Sequence, residues 1–398
     1  MSDSLVIEPL TRPPDAVVTV PGSKSLTNRA LVCAALVDGT SVLEGALWAD
    51  DIEAMVDCLR ALGIAIEVSG DRITVHGRAG EIPATEAKLD VRLSGTTARF
   101  IVPVAARGTG RYQIDAAPPM RRRPMAPTFA ALRSLGVRID ELGEPGCLPV
   151  VVESAGIRRG HVSVSGDVSS QFLSGLLLAG ISVDLSTELV SRPYVEMTRA
   201  VIDAFPTART YAIEPDASAA SYFFAAAAVL GGRVTVEGLG IASLQGDRGV
   251  VDVLAAMGAE VESTEGATTV RGTGTLRGID IDLRHLSDMV PTLAAVAVFA
   301  ESPTTIRGVG FIRGKESDRI AAVVTELRRC GIEAEEHDDG LTIRPGQPHA
   351  ARFRTYDDHR LAMAFALIGL MVPGIEIDDP QCVAKTFPTY FEALEQLR

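Results

Sequence analysis

The stretch PGSKSLTNRA, residues 21–30, sets a lysine at the mouth of a helix. A strand-like run ends at Val20, a Pro-Gly turn follows, and helical spacing begins near Ser25 or Leu26. Free backbone N–H groups, the positive end of the helix dipole and the ammonium of Lys24 would then face one spot, which suits phosphate or carboxylate. Arg29, four residues after Ser25, lies on the same face and adds a two-pronged donor. A capped helix with a solvated lysine explains the same residues, and the spacing of a P-loop is absent. RLSGTTARF, 92–100, repeats the pattern. Its Ser94-Gly95-Thr96-Thr97 reads as a glycine turn opening a helix, with Arg99 one turn in, although Ser and Thr serve equally as plain N-caps. MRRRPM, 120–125, offers Arg123 within a run of arginines that otherwise reads as a solvated face. SGDVSSQFLSGLLLAG, 165–180, leads with Ser169, Ser170 and Gln171, neutral hydrogen-bonding groups fit for a polyhydroxylated ligand or for capping. Ser191 and Tyr194 follow in SRPY.

The second half of the chain adds titratable groups. SDMVPTLAAVA sets Asp288 just before an apolar helix, either as a cap carboxylate or as a functional one. In RGKESDR, Glu316 and Arg319 share a helix face at i,i+3 while Lys315 points elsewhere, and surface pairing stands beside a functional reading. YDDHRLAMAFAL sets His359 and Arg360 at the mouth of a strongly apolar helix, an odd pair for a core. Lys385, in CVAKTFPTYFEAL, again precedes a helix. Only four lysines occur, Lys24, Lys88, Lys315 and Lys385, and three of them fall in these motifs. Where arginine is the default cation, a compact ammonium serves chemistry that a planar guanidinium does not reproduce, unless chance or codon bias explains it. Basic residues thus recur at strand-to-helix turns in both halves, so the expected ligand carries several negative charges.

The elements that must position these groups form a repeat. A helix ending in Leu-Gly or a near variant, followed by two short strand-like runs, recurs at 54–77, 126–154, 250–272 and 321–346, with a degenerate copy at 200–215 and a helix alone in the last nine residues. Gly63, Gly136, Gly258 and Gly331 stand where a helix end needs positive φ. With intervening strand–helix pairs such as 17–37, each unit reads as β-α-β-α-β-β, and six copies give three per lobe. The spacing shortens between Phe205 and Met257, and the strand-like runs 17–20 and 211–215 are the expected crossings between lobes. An ordinary two-domain α/β enzyme with coincidental repeats is the alternative. At 398 residues two domains are expected. A net charge of −13 opposes nucleic-acid binding but not a small anion in a locally basic cleft. No apolar run reaches the roughly 20 residues of a membrane span, and the start has no signal-peptide pattern. Five scattered cysteines without zinc spacing read as reduced core thiols, which points to the cytoplasm.

Taken in order, PGSKS-x-x-NRA, GT-x-x-R, RP-M, SSQF, SRPY, D-x-S-x-ASYF, RxKESDR, DHR-x-AM and AKTFP-x-YF resemble the signature set of the 5-enolpyruvylshikimate-3-phosphate synthase family, over residues 21–391. The resemblance implies an α/β fold, a two-lobed inside-out α/β barrel with three βαβαββ units per lobe. The first lobe would span 21–213, its third unit shortened after Phe205; 1–20 with 214–398 would form the second, and the active site would lie in the interlobe cleft. It implies enolpyruvyl transfer from phosphoenolpyruvate to the 5-hydroxyl of shikimate 3-phosphate, with no cofactor, no metal, no nucleic-acid or membrane partner, and a monomer. By resemblance, Lys24, Ser25, Arg29, Ser169, Ser170, Gln171, Ser191, Tyr194, Asp288 and Lys315 hold shikimate 3-phosphate. Lys24, Gly95, Thr96, Arg123, Gln171, Arg319, Arg360 and Lys385 hold phosphoenolpyruvate. Asp288 accepts the 5-hydroxyl proton and Lys315 or Glu316 protonates C3, giving a tetrahedral ketal phosphate that loses phosphate and a C3 proton; Lys24 and His359 complete the catalytic set.

Three departures stand out. Ser94 precedes Gly95 in a motif where many members carry Asn, which touches one phosphoenolpyruvate contact. Phe311 replaces an Asn expected to meet the shikimate phosphate. A segment usual after Phe205 is absent, which would leave an open sheet edge. The alternatives are a non-catalytic anion-binding homologue of the same fold, or the sister UDP-N-acetylglucosamine enolpyruvyl transferase, whose loop cysteine and opening motif are not matched.

Overall fold

The computed structural model describes residues 4–157, 160–207 and 209–398. The chain divides into a continuous unit, Gly22–Glu214, and a discontinuous one built from the residues through Pro21 together with Pro215–Arg398. The division falls one residue later at each end than the sequence limits. The backbone explains this: Ser23 N donates to Glu214 O at 2.8 Å in the continuous unit, while Asp216 N donates to Pro21 O at 2.8 Å in the other.

In the continuous unit, Thr210–Ala212 runs parallel to Asp38–Glu44, which pairs antiparallel with Arg72–Arg78 and through it with Ala65–Ser69. The same order, one parallel pair followed by two antiparallel ones, returns in Glu86–Asp90, Thr109–Asp115, Val150–Ala155 and Arg138–Glu141. A third sheet holds only the parallel pair His161–Val164 and Ser182–Leu185. The run 211–215 therefore does more than connect, because its first residues form an edge strand.

The discontinuous unit repeats the order twice. One sheet is Asp15–Val18, Arg233–Glu237, Ala267–Arg271 and Glu260–Ser263; the other is Asp280–Asp282, Thr304–Arg307, Gly340–Ile343 and Ala334–His337. Its third sheet takes Ile375–Asp378 as the centre, with Ala351–Phe353 parallel on one side and Ser4–Ile7 antiparallel on the other. The early strand Ser4–Ile7 was not read from the sequence.

Strands alternate buried and exposed residues, as in Ala65–Ser69, so each sheet shows one face to water. The central helices are instead buried on every side: Gly95–Ala105 and His359–Gly369 have no exposed residue. A helix apolar all round belongs inside, and here the sheets wrap the helices. Close approach needs a missing side chain. A Cβ on Gly175 would stand 2.1 Å from the carbonyl oxygen of Arg99, so Gly95–Ala105 and Ser170–Leu178 pack backbone to backbone there.

Candidate functional site

In the continuous unit the helix Lys24–Leu36 starts at Lys24 itself, one or two residues earlier than expected, because Ser23 caps it by accepting from Leu26 N. Lys24 Nζ lies 3.2 Å from Asp51 Oδ2, a buried carboxylate. Thr97 Oγ1 donates to Asp51 O at 3.2 Å and to Ser94 Oγ at 2.8 Å, so the second glycine turn steadies the partner of the first lysine. Ser94, standing where an Asn was expected, is the N-cap of Gly95–Ala105.

Two guanidinium groups crowd that helix start. A Cβ on Gly95 would meet Arg123 and Arg99 NH1 atoms at 2.6 Å, and Arg99 donates to Gly95 O at 3.1 Å and to Pro124 O at 3.1 Å. Cations at the positive end of a helix repel it unless an anion is held among them. Of the neighbouring arginines, Arg121 is tied to Asp115 at 2.9 Å and Arg123 turns to Gly95. Gln171 Nε2 donates to Thr96 Oγ1 at 3.2 Å, and Ser169 caps the helix Ser170–Leu178. The structure thus gathers Gly95, Thr96, Arg123 and Gln171. Ser191 takes a left-handed backbone, φ 51°, directly before the helix Arg192–Ala204.

Arg29 is deeply buried. It donates to Thr198 Oγ1 (2.8 Å), Ser25 O (2.8 Å) and Tyr194 O (3.1 Å), between the rings of Phe100 and Tyr194. Burial pushes its pKa down to about 10, against the opposing pull of Tyr194 and Cys33. Three of its five N–H groups therefore bind protein, which makes it a tie between helices as well as a candidate ligand residue.

The discontinuous unit holds a denser cluster. Asp288 lies in a 3-10 turn, Ser287–Met289, and makes no side-chain cap bond to the helix that follows. Its carboxylate accepts instead from Lys315 Nζ, from Arg319 NH1 at 2.9 Å and from Arg360 NH2 at 2.8 Å. Lys315 was expected to point away from the face shared by Glu316 and Arg319; its ammonium instead reaches Asp288, the carboxylate that Arg319 also meets, together with Ser287 Oγ (3.0 Å), and stands 5.7 Å above the ring of Phe311. The helix Arg319–Arg329 starts at Arg319 behind the cap Asp318, so Glu316 belongs to the preceding loop and not to a helix face. It still meets Arg319 NH2 at 2.9 Å, and it takes Lys385 Nζ at 3.1 Å. Lys385 closes the 3-10 turn Pro380–Lys385.

Arg319, buried, is the hub. Beyond Asp288 and Glu316 it grips Asp358 through Nε at 2.8 Å and NH2 at 3.1 Å. Burial disfavours its charge, but Asp358, Glu316 and Asp288 outweigh that and raise its pKa. Burial also pushes the Asp288 carboxyl up, yet Arg360, Lys315 and Arg319 hold it well below the usual carboxylate range. Burial lowers Lys315 despite Asp288. His359 is buried, with Nδ1 3.9 Å from Asp358 Oδ1. Four cations, Lys315, Arg319, Arg360 and Lys385, thus face three carboxylates, Asp288, Glu316 and Asp358. Such a cluster can exchange its own carboxylates for a multiply charged anion. Among the described residues no group of His, Cys, Asp and Glu is arranged to hold a metal ion, and no helix is long and apolar enough to cross a membrane.

Sequence reasoning missed Asp51 and Asp358, the carboxylates that hold Lys24 and Arg319. Asp358 sits inside the quoted DHR motif and could have been found there; Asp51 sits among other acidic residues with no distinguishing signal.

The family model described as EPSP synthase (3-phosphoshikimate 1-carboxyvinyltransferase) matches residues 11–208 and 205–394. A 3-phosphoshikimate 1-carboxyvinyltransferase of Nostoc punctiforme is 47% identical over 422 aligned positions, covering 99% of each chain. One of Sulfurovum is 39% identical, again with 99% of each chain covered. Among solved structures, EPSP synthase from Acinetobacter baumannii superposes with a TM-score of 0.82 at 26% identity, covering 99% of this chain and 98% of its own. The enolpyruvyl transferase NikO from Streptomyces tendae shares the fold, with a TM-score of 0.74 at 21% identity over 100% and 98% of the two chains.

Proposed function

Since the chain belongs to the EPSP synthase family, whose members move the enolpyruvyl group of phosphoenolpyruvate to shikimate 3-phosphate in aromatic biosynthesis, we propose which of its residues carry that transfer. The observation that carries the reading is the set of carboxylates already seated on the cations. Asp288 and Glu316 occupy Arg319, Arg360 and Lys385 in the way a phosphate and a carboxylate would.

Phosphoenolpyruvate binds Arg319, Arg360 and Lys385, with Lys24, Gly95, Thr96, Arg123 and Gln171. Shikimate 3-phosphate binds Lys24, Ser25, Arg29, Ser169, Ser170, Gln171, Ser191 and Tyr194. As phosphoenolpyruvate oxygens take over the guanidinium groups, Asp288 loses the cations that hold its pKa down and becomes a stronger base. It accepts the 5-hydroxyl proton while that oxygen bonds to C2, and Lys315 or Glu316 delivers a proton to C3. The tetrahedral adduct then returns a C3 proton and expels phosphate, so the acid and base exchange roles between the steps. The cations offset repulsion between the two substrate anions throughout. His359, buried with Nδ1 3.9 Å from Asp358 Oδ1, completes the proposed catalytic set with Lys24. The reading needs no cofactor, and it takes the chain as a cytoplasmic monomer.

The test is phosphate release with both substrates, in the parent and in Asp288→Asn and Lys24→Met. Release should require both substrates and fall by about a hundredfold or more in each variant. Parent-like turnover in both variants would sink the residue assignments; a folded parent without turnover would favour a non-catalytic homologue.

A further inference from the structure

The helix Arg319–Arg329 carries a second buried charge. Glu326 follows Arg319 by seven positions, two turns along the same face, and its side chain has no exposed surface. Its carboxylate accepts from Tyr356 Oη at 2.7 Å, from the backbone N–H of Arg354 at 3.1 Å, and from Arg329 at 2.8 and 3.3 Å. Two of those partners belong to one short segment, 354–357. There Tyr356 and Asp357 are both in the left-handed region, with φ of 56° and 57°. Neither is glycine, and consecutive residues in that region hold only when the surroundings fix them. The next residues are Asp358, which grips Arg319 and caps the following helix by accepting from Arg360 N at 3.0 Å, and Arg360, which reaches Asp288.

One helix therefore fastens the segment 354–360 at two points, Arg319 to Asp358 and Glu326 to Tyr356 and Arg354. We propose that Glu326 and Tyr356 are positioning residues for the phosphoenolpyruvate-binding cations: their clasp holds the left-handed turn that aims Asp358 and Arg360. This rests on the assignment of Arg319 and Arg360 to phosphoenolpyruvate. The hydroxyl of Tyr356 stays protonated and donating at any working pH, since burial and Glu326 push it up to about 12. Neither residue is offered as touching a substrate.

Tyr356→Phe removes one hydroxyl from a partly exposed side chain without stranding a charge, so it should fold. Its KM for phosphoenolpyruvate should rise about five- to tenfold, part of the contribution of one hydrogen bond to a charged group because the bond acts on the site indirectly, while KM for shikimate 3-phosphate moves less than about twofold. Glu326→Gln should do the same more strongly. Asp357→Gly, which makes positive φ costless at that position, should restore part of the affinity lost in Tyr356→Phe. If the clasp is only structural, thermal stability falls while both KM values hold, and the proposal is overturned. Equal rises in both KM values overturn it too. A folded parent enzyme without turnover would sink the functional reading beneath it, an outcome distinct from an active parent with insensitive variants.

Discussion

Arg319→Lys isolates the hub's geometry from its charge. The guanidinium makes four hydrogen bonds to carboxylates, at 2.9 Å to Asp288, 2.9 Å to Glu316, and 2.8 and 3.1 Å to Asp358. A lysine keeps the charge at a single nitrogen and cannot span three carboxylates, so about two of these bonds are lost. Each bond to a charged group contributes about 1.5 to 3 kcal/mol, which sets the loss at roughly 3 to 6 kcal/mol. The lower end applies, because Asp288 keeps Lys315, Glu316 keeps Lys385, and Asp358 keeps Ser317 Oγ at 3.0 Å. At about 2 to 4 °C per kcal/mol for a unit of this size, the unfolding midpoint should drop roughly 6 to 12 °C. KM for phosphoenolpyruvate should rise alongside. Differential scanning calorimetry and phosphate-release kinetics measure the two effects. The comparator is Arg313→Lys, whose pairs with Asp318 and Glu336 are more exposed and should contribute less than about 1 kcal/mol. Equal shifts in the two variants, or no shift in Arg319→Lys, would refute the hub.

Two further outcomes follow from the geometry. Gly95→Ala should leave thermal stability nearly unchanged, because the new methyl meets the ends of the flexible Arg123 and Arg99, but it should displace Arg123 and raise KM for phosphoenolpyruvate; an unchanged KM excludes that role. Lys315 must be protonated to act as the acid, and burial lowers its pKa, so kcat should fall as pH rises through a value below the roughly 10.4 of a free lysine. In Lys315→Arg, whose charge does not titrate there, residual turnover should lack that limb; a limb that persists assigns the proton to another group.

The motif residues were legible because strand-to-helix turns leave a local trace: a cap, a glycine and a cation within a few positions. Gly95, Asp288 and Arg360 were singled out that way, whereas Arg123 read as part of a solvated face and was singled out by the family resemblance. The repeated β-α-β-α-β-β grammar was legible for the same reason, since helix ends and strand alternation are local. What the sequence hid was pairing at a distance. RGKESDR read as a helix face shared by Glu316 and Arg319 with Lys315 pointing elsewhere, whereas a 3-10 turn over Gly310–Gly314 and a late helix start bring Lys315 onto Asp288, 27 residues earlier, beside Arg319. Asp51 carries no mark of its own, and its meeting with Lys24 depends on how two helices pack. The partner strand of Ile375–Asp378 lay hundreds of residues away at Ser4–Ile7, beyond the reach of any spacing argument.

That last pairing has a bearing on biosynthesis. Ser4–Ile7 leaves the ribosome well before its hydrogen-bonding partner, Ile375–Asp378. At about 5 to 20 residues per second, the early strand waits roughly 20 to 70 s for its mate. During that interval Gly22–Glu214 emerges whole and contains every strand its own sheets require. Order of synthesis and order of assembly therefore run in opposite senses for the opening residues. The nascent chain must keep a short strand unpaired until Ile375–Asp378 has been made.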